Sequence, residues 1–206
     1  MKVLFIEAKK KQLIDINSIN LDILPKQLFL AYSIQYKQLA FELKKKLGKR
    51  VREFRQVLGC SVLNTKYPIL LVGSGRFHAL QLALQNNEVY ILEEKITKLD
   101  EREIKEIKAK RKTALMKFLA ASKIGILVSA KPGQEAFKKA LSLKKEIEKK
   151  GKEVKIFLAD NISIEELENY DIESWVNTSC PALTTDSRII NAEELKTNNI
   201  LQYTNS

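Results

Sequence analysis

Cys60 and Cys180 are the only thiols in a chain of 206 residues. Cys60 follows Gly59 at the end of "VREFRQVLG", and Cys180 precedes Pro181 within "WVNTSCPALTTD", so both fall in turns beyond extended runs. A structural cysteine more often sits inside a strand or helix, where a small hydrophobe has something to pack against. The crevice outside the carboxyl ends of the strands is where open α/β sheets bind ligands. On the residues alone the pair reads equally as functional thiols or as two ordinary ones. The absence of any C-x-x-C pair excludes a zinc ribbon and a thioredoxin-type site. An iron–sulfur cluster can draw thiolates from distant loops, but two are too few for a stable cubane, so a further ligand would have to come from elsewhere.

The second stretch with chemical potential is "LLVGSGRFHALQLAL", residues 70 to 84. A strand running into Gly73-Ser74-Gly75 lets backbone N–H groups turn toward an anion at the start of the next helix. Glu93 stands where a dinucleotide-binding acid would, but His78 replaces the third glycine of that fingerprint and the turn is not the first strand–helix junction, which argues against NAD. His78 is the only histidine, and a lone histidine on a short helix is commonly a hydrogen-bonded structural one. Arg76 could receive a carboxylate or pair with a surface acid. "SAKPGQ", residues 129 to 134, turns at Pro132-Gly133 and starts a helix at Gln134; by itself it is an ordinary connecting loop.

These residues are carried by short apolar runs alternating with helix-period segments. Extended runs are expected at 3–8, 28–32, "VREFRQVLG", 67–73 and 89–94, with helices over 35–47 and "RFHALQLALQ". Residues 98–122, highly charged and without Gly or Pro, predict a long connecting helix. The pattern then restarts with "IGILVSA", a lysine-rich helix ending at Gly151, "EVKIFLA", a short helix near "SIEELENY", and "SWVNTS". "LFLAYSIQYKQLAFELKKKLGKRVREFR" and "ILVSAKPGQEAFKKALSLKKEIEKKGKEVKIF" share one plan: strand, polar turn containing Gln, lysine-rich helix, Gly-Lys, strand. The expected architecture is α/β, two similar small domains over 1–97 and 123–206 joined by 98–122, each a mostly parallel sheet flanked by helices.

Composition narrows the class. Forty-five per cent apolar residues suffice for a core, and no run approaches a membrane span. The charges of "MKVLFIEAKKK" follow its apolar stretch, the reverse of a signal peptide, so a cytoplasmic protein is expected. A net charge of +11 admits an acidic partner such as RNA, but the excess lies in helix faces such as "EREIKEIKAKRK" with little aromatic interleaving, which reads as solvated surface.

Taken together, "RQVLGC", "LLVGSGRFHALQLAL", "VSAKPGQ" and "WVNTSCPALTTD", in this order and at these separations, resemble the diphthamide synthase family, the 2-(3-amino-3-carboxypropyl)histidine synthases. The resemblance implies three similar α/β domains, each giving one cysteine to a central 4Fe-4S cluster, and likens this chain to the second and third. It implies that Cys60 and Cys180 are cluster ligands and that Gly73, Gly75, Arg76, Phe77, His78 and Gln134 line the site. The family's reaction cleaves S-adenosylmethionine and transfers a 3-amino-3-carboxypropyl group to a histidine of translation elongation factor 2. The partner implied is a missing-domain protein or a longer paralogue that supplies the third thiolate, and a non-catalytic partner subunit is the competing reading. Ser74 stands where the family usually has aspartate, and Ala182 where it often has arginine. The position of Asp186 is two or three residues beyond the family's acid.

Overall fold

The computed structural model describes residues 14–58, 61, 63–73, 76–85, 88–130, 136–159, 163, 165–179 and 186–202. It divides into two compact units, Met1–Lys105 and Glu106–Ser206. The strand expected over 3–8 lies outside the described residues.

In the first unit, β1 (Leu28–Tyr32), α1 (Lys37–Leu47), β2 (Val51–Gln56), β3 (Ile69–Val72), α2 (Arg76–Leu84), β4 (Val89–Leu92) and β5 (Ile96–Lys98) follow in order, and α3 (Glu101–Ala120) begins. The sheet order is β2-β1-β3-β4-β5, parallel except for the β4–β5 hairpin. Central β1, β3 and β4 are buried on both faces, which is why they read as unbroken apolar runs rather than alternating ones. Leu39, Ala40, Leu43 and Leu47 of α1 pack with Leu28, Leu30, Leu70 and Val72 on one face. Ala79, Leu82 and Ala83 of α2, with Ile104 at the start of α3, cover Phe29, Ala31, Ile69 and Leu71 on the other.

The second unit holds most of α3, then β6 (Lys123–Ser129), α4 (Phe137–Glu148), β7 (Glu153–Ala159), β8 (Ser174–Asn177), β9 (Ile189–Asn191) and α5 (Ala192–Thr197). Its four strands run parallel in the order β7-β6-β8-β9. The repeat read in the sequence is therefore a repeat of topology: β1-α1-β2-β3-β4 and β6-α4-β7-β8-β9 place their strands alike. Helix α4 buries Ala140, Leu143 and Ile147 as α1 buries Ala40, Leu43 and Leu47. Both helices are followed by a positive-φ glycine, Gly48 (53°) and Gly151 (78°), a conformation that costs other residues a steric penalty.

The division between units falls inside the 98–122 stretch, and α3 is not a bare spacer. Ala114 and Phe118 are fully buried with β6, α4 and α5, and Arg111 holds Glu194 through Nε (3.0 Å) and Nη2 (2.7 Å) while Nη1 donates to the Ile189 carbonyl (2.8 Å). This bidentate ion pair ties α3 to β9 and α5. Strands β5 and β9 and helix α5 are additional to the elements expected from the sequence.

On the opposite face of the second sheet no long helix packs among the described residues. Leu167 and Ile172 cover Leu127, Trp175 and Ile189 there, with Phe157, Tyr170 and Trp175 in mutual edge-to-face contact at centroid separations of 4.8, 4.8 and 6.1 Å. Gly125 makes this possible, because a Cβ there would lie 2.3 Å from Cε3 and Cζ3 of the buried Trp175 ring. A buried indole has no room to retreat. Gly125→Ala is expected to destabilise the second unit by about 1–3 kcal/mol, the usual cost of overpacking, measured by urea unfolding followed by Trp175 fluorescence; an unchanged midpoint would show that the ring can shift freely.

Candidate functional site

In each sheet the first strand sends its chain to one side and the third strand lies on its other side. The switch point is thus between β1 and β3 in the first unit and between β6 and β8 in the second. The quoted motifs leave the sheets at these points. "GSGRFH" follows β3, "SAKPGQ" begins at the end of β6, and "NTSCP" leaves β8. Cys60 lies in the connection from edge strand β2 to β3, and Cys180 in the connection from β8 to β9. Cys60, Gly75, Gln134 and Cys180 themselves lie outside the described residues, as do Ser74 and Ala182.

The chain on either side of Cys60 is held at the carboxyl edge. The Val57 amide donates to the Tyr32 carbonyl (2.9 Å), and Ser61 Oγ accepts from the Leu58 amide (2.8 Å). From α2, Gln85 accepts from the Leu63 amide at 2.8 Å and donates to the Ser61 carbonyl at 2.9 Å. One side chain thus ties the start of β3's approach to the helix that follows the glycine turn.

Gly73 ends β3 directly against Ser33, the residue after β1: a Cβ at 73 would lie 2.9 Å from Ser33 Oγ. The Ser33 amide donates to the Val72 carbonyl (3.2 Å), closing the two strand ends together. Arg76 opens α2 and is engaged: Nε donates to both carboxylate oxygens of Glu103 at 2.9 Å, and Nη2 to Oε2 at 2.5 Å. The hydrogen bonds to Glu103, followed by its negative charge, push the Arg76 guanidinium above its ordinary pKa. Of the two readings open for Arg76, pairing with an acid is the one realised. Phe77 and His78 are half-buried on α2, their rings edge to face at 5.7 Å. Gly73, Arg76, Phe77 and His78 therefore come together around the β3–α2 junction.

In the second unit the strand end before Cys180 is closed by hydrogen bonds. Thr178 Oγ1 donates to the Leu127 carbonyl (2.8 Å), the Ser129 amide donates to Ser179 Oγ (2.8 Å), and the Ser179 amide to Asn177 Oδ1 (2.9 Å). Asn177 Nδ2 reaches Asn191 Oδ1 across to β9 (3.0 Å). The far end of the loop is fixed by Asp186, which accepts from the Arg188 amide (2.7 Å) and from its guanidinium at Nε (3.1 Å) and Nη2 (2.8 Å); Arg188 Nη1 also reaches Glu168 (3.1 Å). Asp186 is thus a structural anchor of the loop that carries Cys180.

Thiolates are the donors an iron–sulfur cluster takes. Two cysteines, each in a connection that follows a parallel strand, fit such a group in donor chemistry. Among the described residues no group of three or more His, Cys, Asp and Glu could hold a metal ion, and no helix is long and apolar enough to cross a membrane.

Sequence reasoning passed over Ser33, Glu103 and Arg188. For Ser33 the repeat gave no signal, since the two stretches matched from Leu28 and Ile126 set Ala31, not Ser33, beside Ser129. The side-chain hydrogen bond from Arg188 is the main cause that lowers the Asp186 pKa, so the pair's contribution is present above the unfolded carboxyl value near ~4 and is lost as pH falls through the lower folded value. Asp186→Asn is expected to cost about 0.5–1 kcal/mol at pH 7, with the difference from the parent shrinking as unfolding is measured at successively lower pH below ~4; a difference independent of pH would assign the loss to packing.

A family model described as "Putative diphthamide synthesis protein" matches residues 1–192. The chain is 32% identical over 139 residues to the 2-(3-amino-3-carboxypropyl)histidine synthase of Pyrococcus horikoshii, covering 64% of this chain and 40% of that protein. It is 31% identical over 172 residues to the protein of the same name from Methanocaldococcus jannaschii, covering 80% and 48%. The crystal structure of Dph2 from Pyrococcus horikoshii shares the fold, with a TM-score of 0.72 at 23% identity over 84% of this chain and 57% of that one; the structure of Dph2 with a 4Fe-4S cluster gives 0.71. The chain spans somewhat less than half the length of these two synthases. With a family match running over nearly all its residues, the chain belongs to the diphthamide synthesis protein family.

Proposed function

We propose that this chain is a cluster-binding subunit of a diphthamide synthase-like enzyme, in which Cys60 and Cys180 are two thiolate ligands of a 4Fe-4S cluster and the remaining thiolate comes from a partner polypeptide, either a missing-domain protein or a longer paralogue. The observation that carries this reading is the family match over residues 1–192 with both cysteines lying inside it, in loops that follow parallel strands. The solved relative with a 4Fe-4S cluster supports the choice of cofactor. When bound, the cluster supplies the electron for cleavage of S-adenosylmethionine, from which a 3-amino-3-carboxypropyl group passes to a histidine of translation elongation factor 2.

The chain's own residues have binding and positioning roles in this reading. Gly73 keeps the β3 end flush with β1, Glu103 holds Arg76 and with it the first turn of α2, and Phe77 and His78 present half-buried rings beside the junction. Gly75 and Gln134 complete the set of motif positions. Asp186 and Arg188 hold each other where the chain enters β9, and Arg188 also reaches Glu168.

A second reading is a non-catalytic subunit that stabilises or reduces the cluster of a longer paralogue. What favours it is that Ser74 and Ala182 stand where the family usually has aspartate and often has arginine.

Anaerobic iron and sulfide reconstitution, of the chain alone and mixed with such a partner, tests the proposal through iron content and the thiolate-to-iron absorption near ~400 nm. Cys60→Ala and Cys180→Ala are each expected to lower bound iron at least severalfold, since loss of one thiolate leaves an iron of the cubane unprotected. Unchanged iron in both variants sinks the ligand assignment. A cluster that needs both cysteines yet supports no S-adenosylmethionine cleavage in the mixed complex would favour the second reading.

A further inference from the structure

A chain of hydrogen bonds runs through the second unit from helix α3 to Ser179, the residue before Cys180. Arg111, buried on α3, donates Nε and Nη2 to the Glu194 carboxylate, and Glu194 Oε1 also accepts from Asn191 Nδ2 (2.9 Å). Asn191 Oδ1 accepts from Asn177 Nδ2 (3.0 Å), and Asn177 Oδ1 accepts from the Ser179 amide (2.9 Å). From Ser179 to Glu194 every bond donates in one direction. That direction is forced at both ends, because a backbone N–H can only donate and a carboxylate can only accept. Each asparagine amide between them has one orientation that satisfies both its neighbours.

The residues in the middle stand where other uses would be expected of them. Asparagine is a poor strand residue, yet Asn177 is 2% exposed at the last paired position of β8, directly opposite Asn191 of β9. Asn191 is the N-cap of α5, where an asparagine side chain usually accepts from the first-turn amides of its helix. It makes no such bond, and its oxygen receives Asn177 instead. The Arg111–Glu194 pair adds little net stability by itself, since desolvation offsets much of the attraction. What the pair supplies is a fixed anion toward which Asn191 turns its NH2 group. At the other end, Ser179 has its amide held by Asn177 in an Asx-type turn and its hydroxyl accepting from the Ser129 amide.

We propose that Asn177, Asn191 and Glu194 are positioning residues for Cys180. The Glu194 carboxylate orients the two amides in turn, and Asn177 thereby sets the backbone of Ser179, from which the thiol-bearing residue follows. The role given to Cys180 rests on the cluster-ligand reading above. The three residues act through Ser179, as outer partners orient a ligand without themselves binding the metal.

Amide hydrogen exchange of the full ¹⁵N-labelled chain tests this without any substitution. The Ser179 N–H is expected to be protected like the paired amides of β8; exchange at the rate of an unbonded loop amide would overturn the proposal. Asn191→Leu removes the acceptor of Asn177, two links away from Ser179. It is expected to speed Ser179 exchange by about threefold to tenfold, the worth of one hydrogen bond. The iodoacetamide alkylation rate of Cys180, read against Cys60 by peptide mass spectrometry, should rise by a similar factor. Asn177→Asp presents an oxygen to Ser179 whichever way it turns and so needs no orientation from Asn191. It should lower the melting temperature yet leave Ser179 exchange and Cys180 alkylation near the parent. Changes at Ser179 and Cys180 that simply track lost stability in both variants, or no change at Ser179 in Asn191→Leu, would overturn the proposal. If Asn191→Leu acts as expected while Cys180→Ala leaves bound iron unchanged, the ligand assignment fails and the positioning stands. If Cys180→Ala strips iron while Asn191→Leu leaves Ser179 as in the parent, the positioning fails and the ligand assignment stands.

Discussion

Parallel pairing on both sides of one central strand is the constraint from which the rest of each unit follows. Strand β1 pairs β2 and β3 in parallel, and β6 does the same with β7 and β8. Parallel neighbours cannot be joined by a tight turn, so each connection must cross back over the sheet. Every such strand therefore releases its chain at one edge. Because the second strand lies to one side of the first and the third to the other, two adjacent strand ends diverge, and the space between them is lined by turns rather than covered by helix. The motifs that follow β3, β6 and β8 are placed by this topology before any side chain acts.

Packing explains why those edges hold their shape. Burial of β1, β3 and β4 on both faces leaves no freedom of register, since a one-residue slip would expose one apolar set and collide the other with its covering helix. The hydrogen bonds at the strand ends then act on a rigid base. In the second unit they join neighbouring strand ends through side chains of Asn177, Thr178 and Ser179. In the first unit the equivalent closure is backbone to backbone, Ser33 to Val72, and the Ser33 side chain has no partner among the described residues. One scaffold thus yields one edge closed through side chains and one closed through backbone.

The scaffold was largely legible in the sequence because it is written in periodicity. The runs at 28–32 and 67–73, the lysine-rich helices and their terminal glycines each announce one element, and the restart after residue 122 announces the repeat. The short elements were not legible. Strand β9 has three residues and follows a polar loop, and β5 is a three-residue antiparallel edge whose "ITK" carries one buried side chain. Their identity is set by partners distant in sequence: Arg111, 78 positions earlier, donates to the Ile189 carbonyl at the start of β9. Site residues divide in the same way. Gly73 was found through its motif, whereas the roles of Glu103 for Arg76 and of Arg188 for Asp186 are long-range or loop-specific pairings that no local pattern encodes.

The repeat also sets a limit on how the two cysteines can be compared. Superposing the strand orders makes β7 the counterpart of β2 and β8 the counterpart of β3. Cys60 comes after β2, at the sheet's outer edge, whereas Cys180 comes after β8, beside the central strand. The place in the first unit that corresponds to Cys180 is the turn after β3, and it holds the glycines of "GSGRFH". A thiol and a glycine-rich turn thus occupy matching places on matching scaffolds. The two units share a way of building a strand edge, while the residues placed on that edge differ: the sequence after β8 carries a cysteine, and the sequence after β3 carries glycines, the first of which, Gly73, packs against Ser33 at the end of β1. One topology therefore accepts different residue types at the same strand end, because the strand order fixes where the chain leaves the sheet and not which side chains follow.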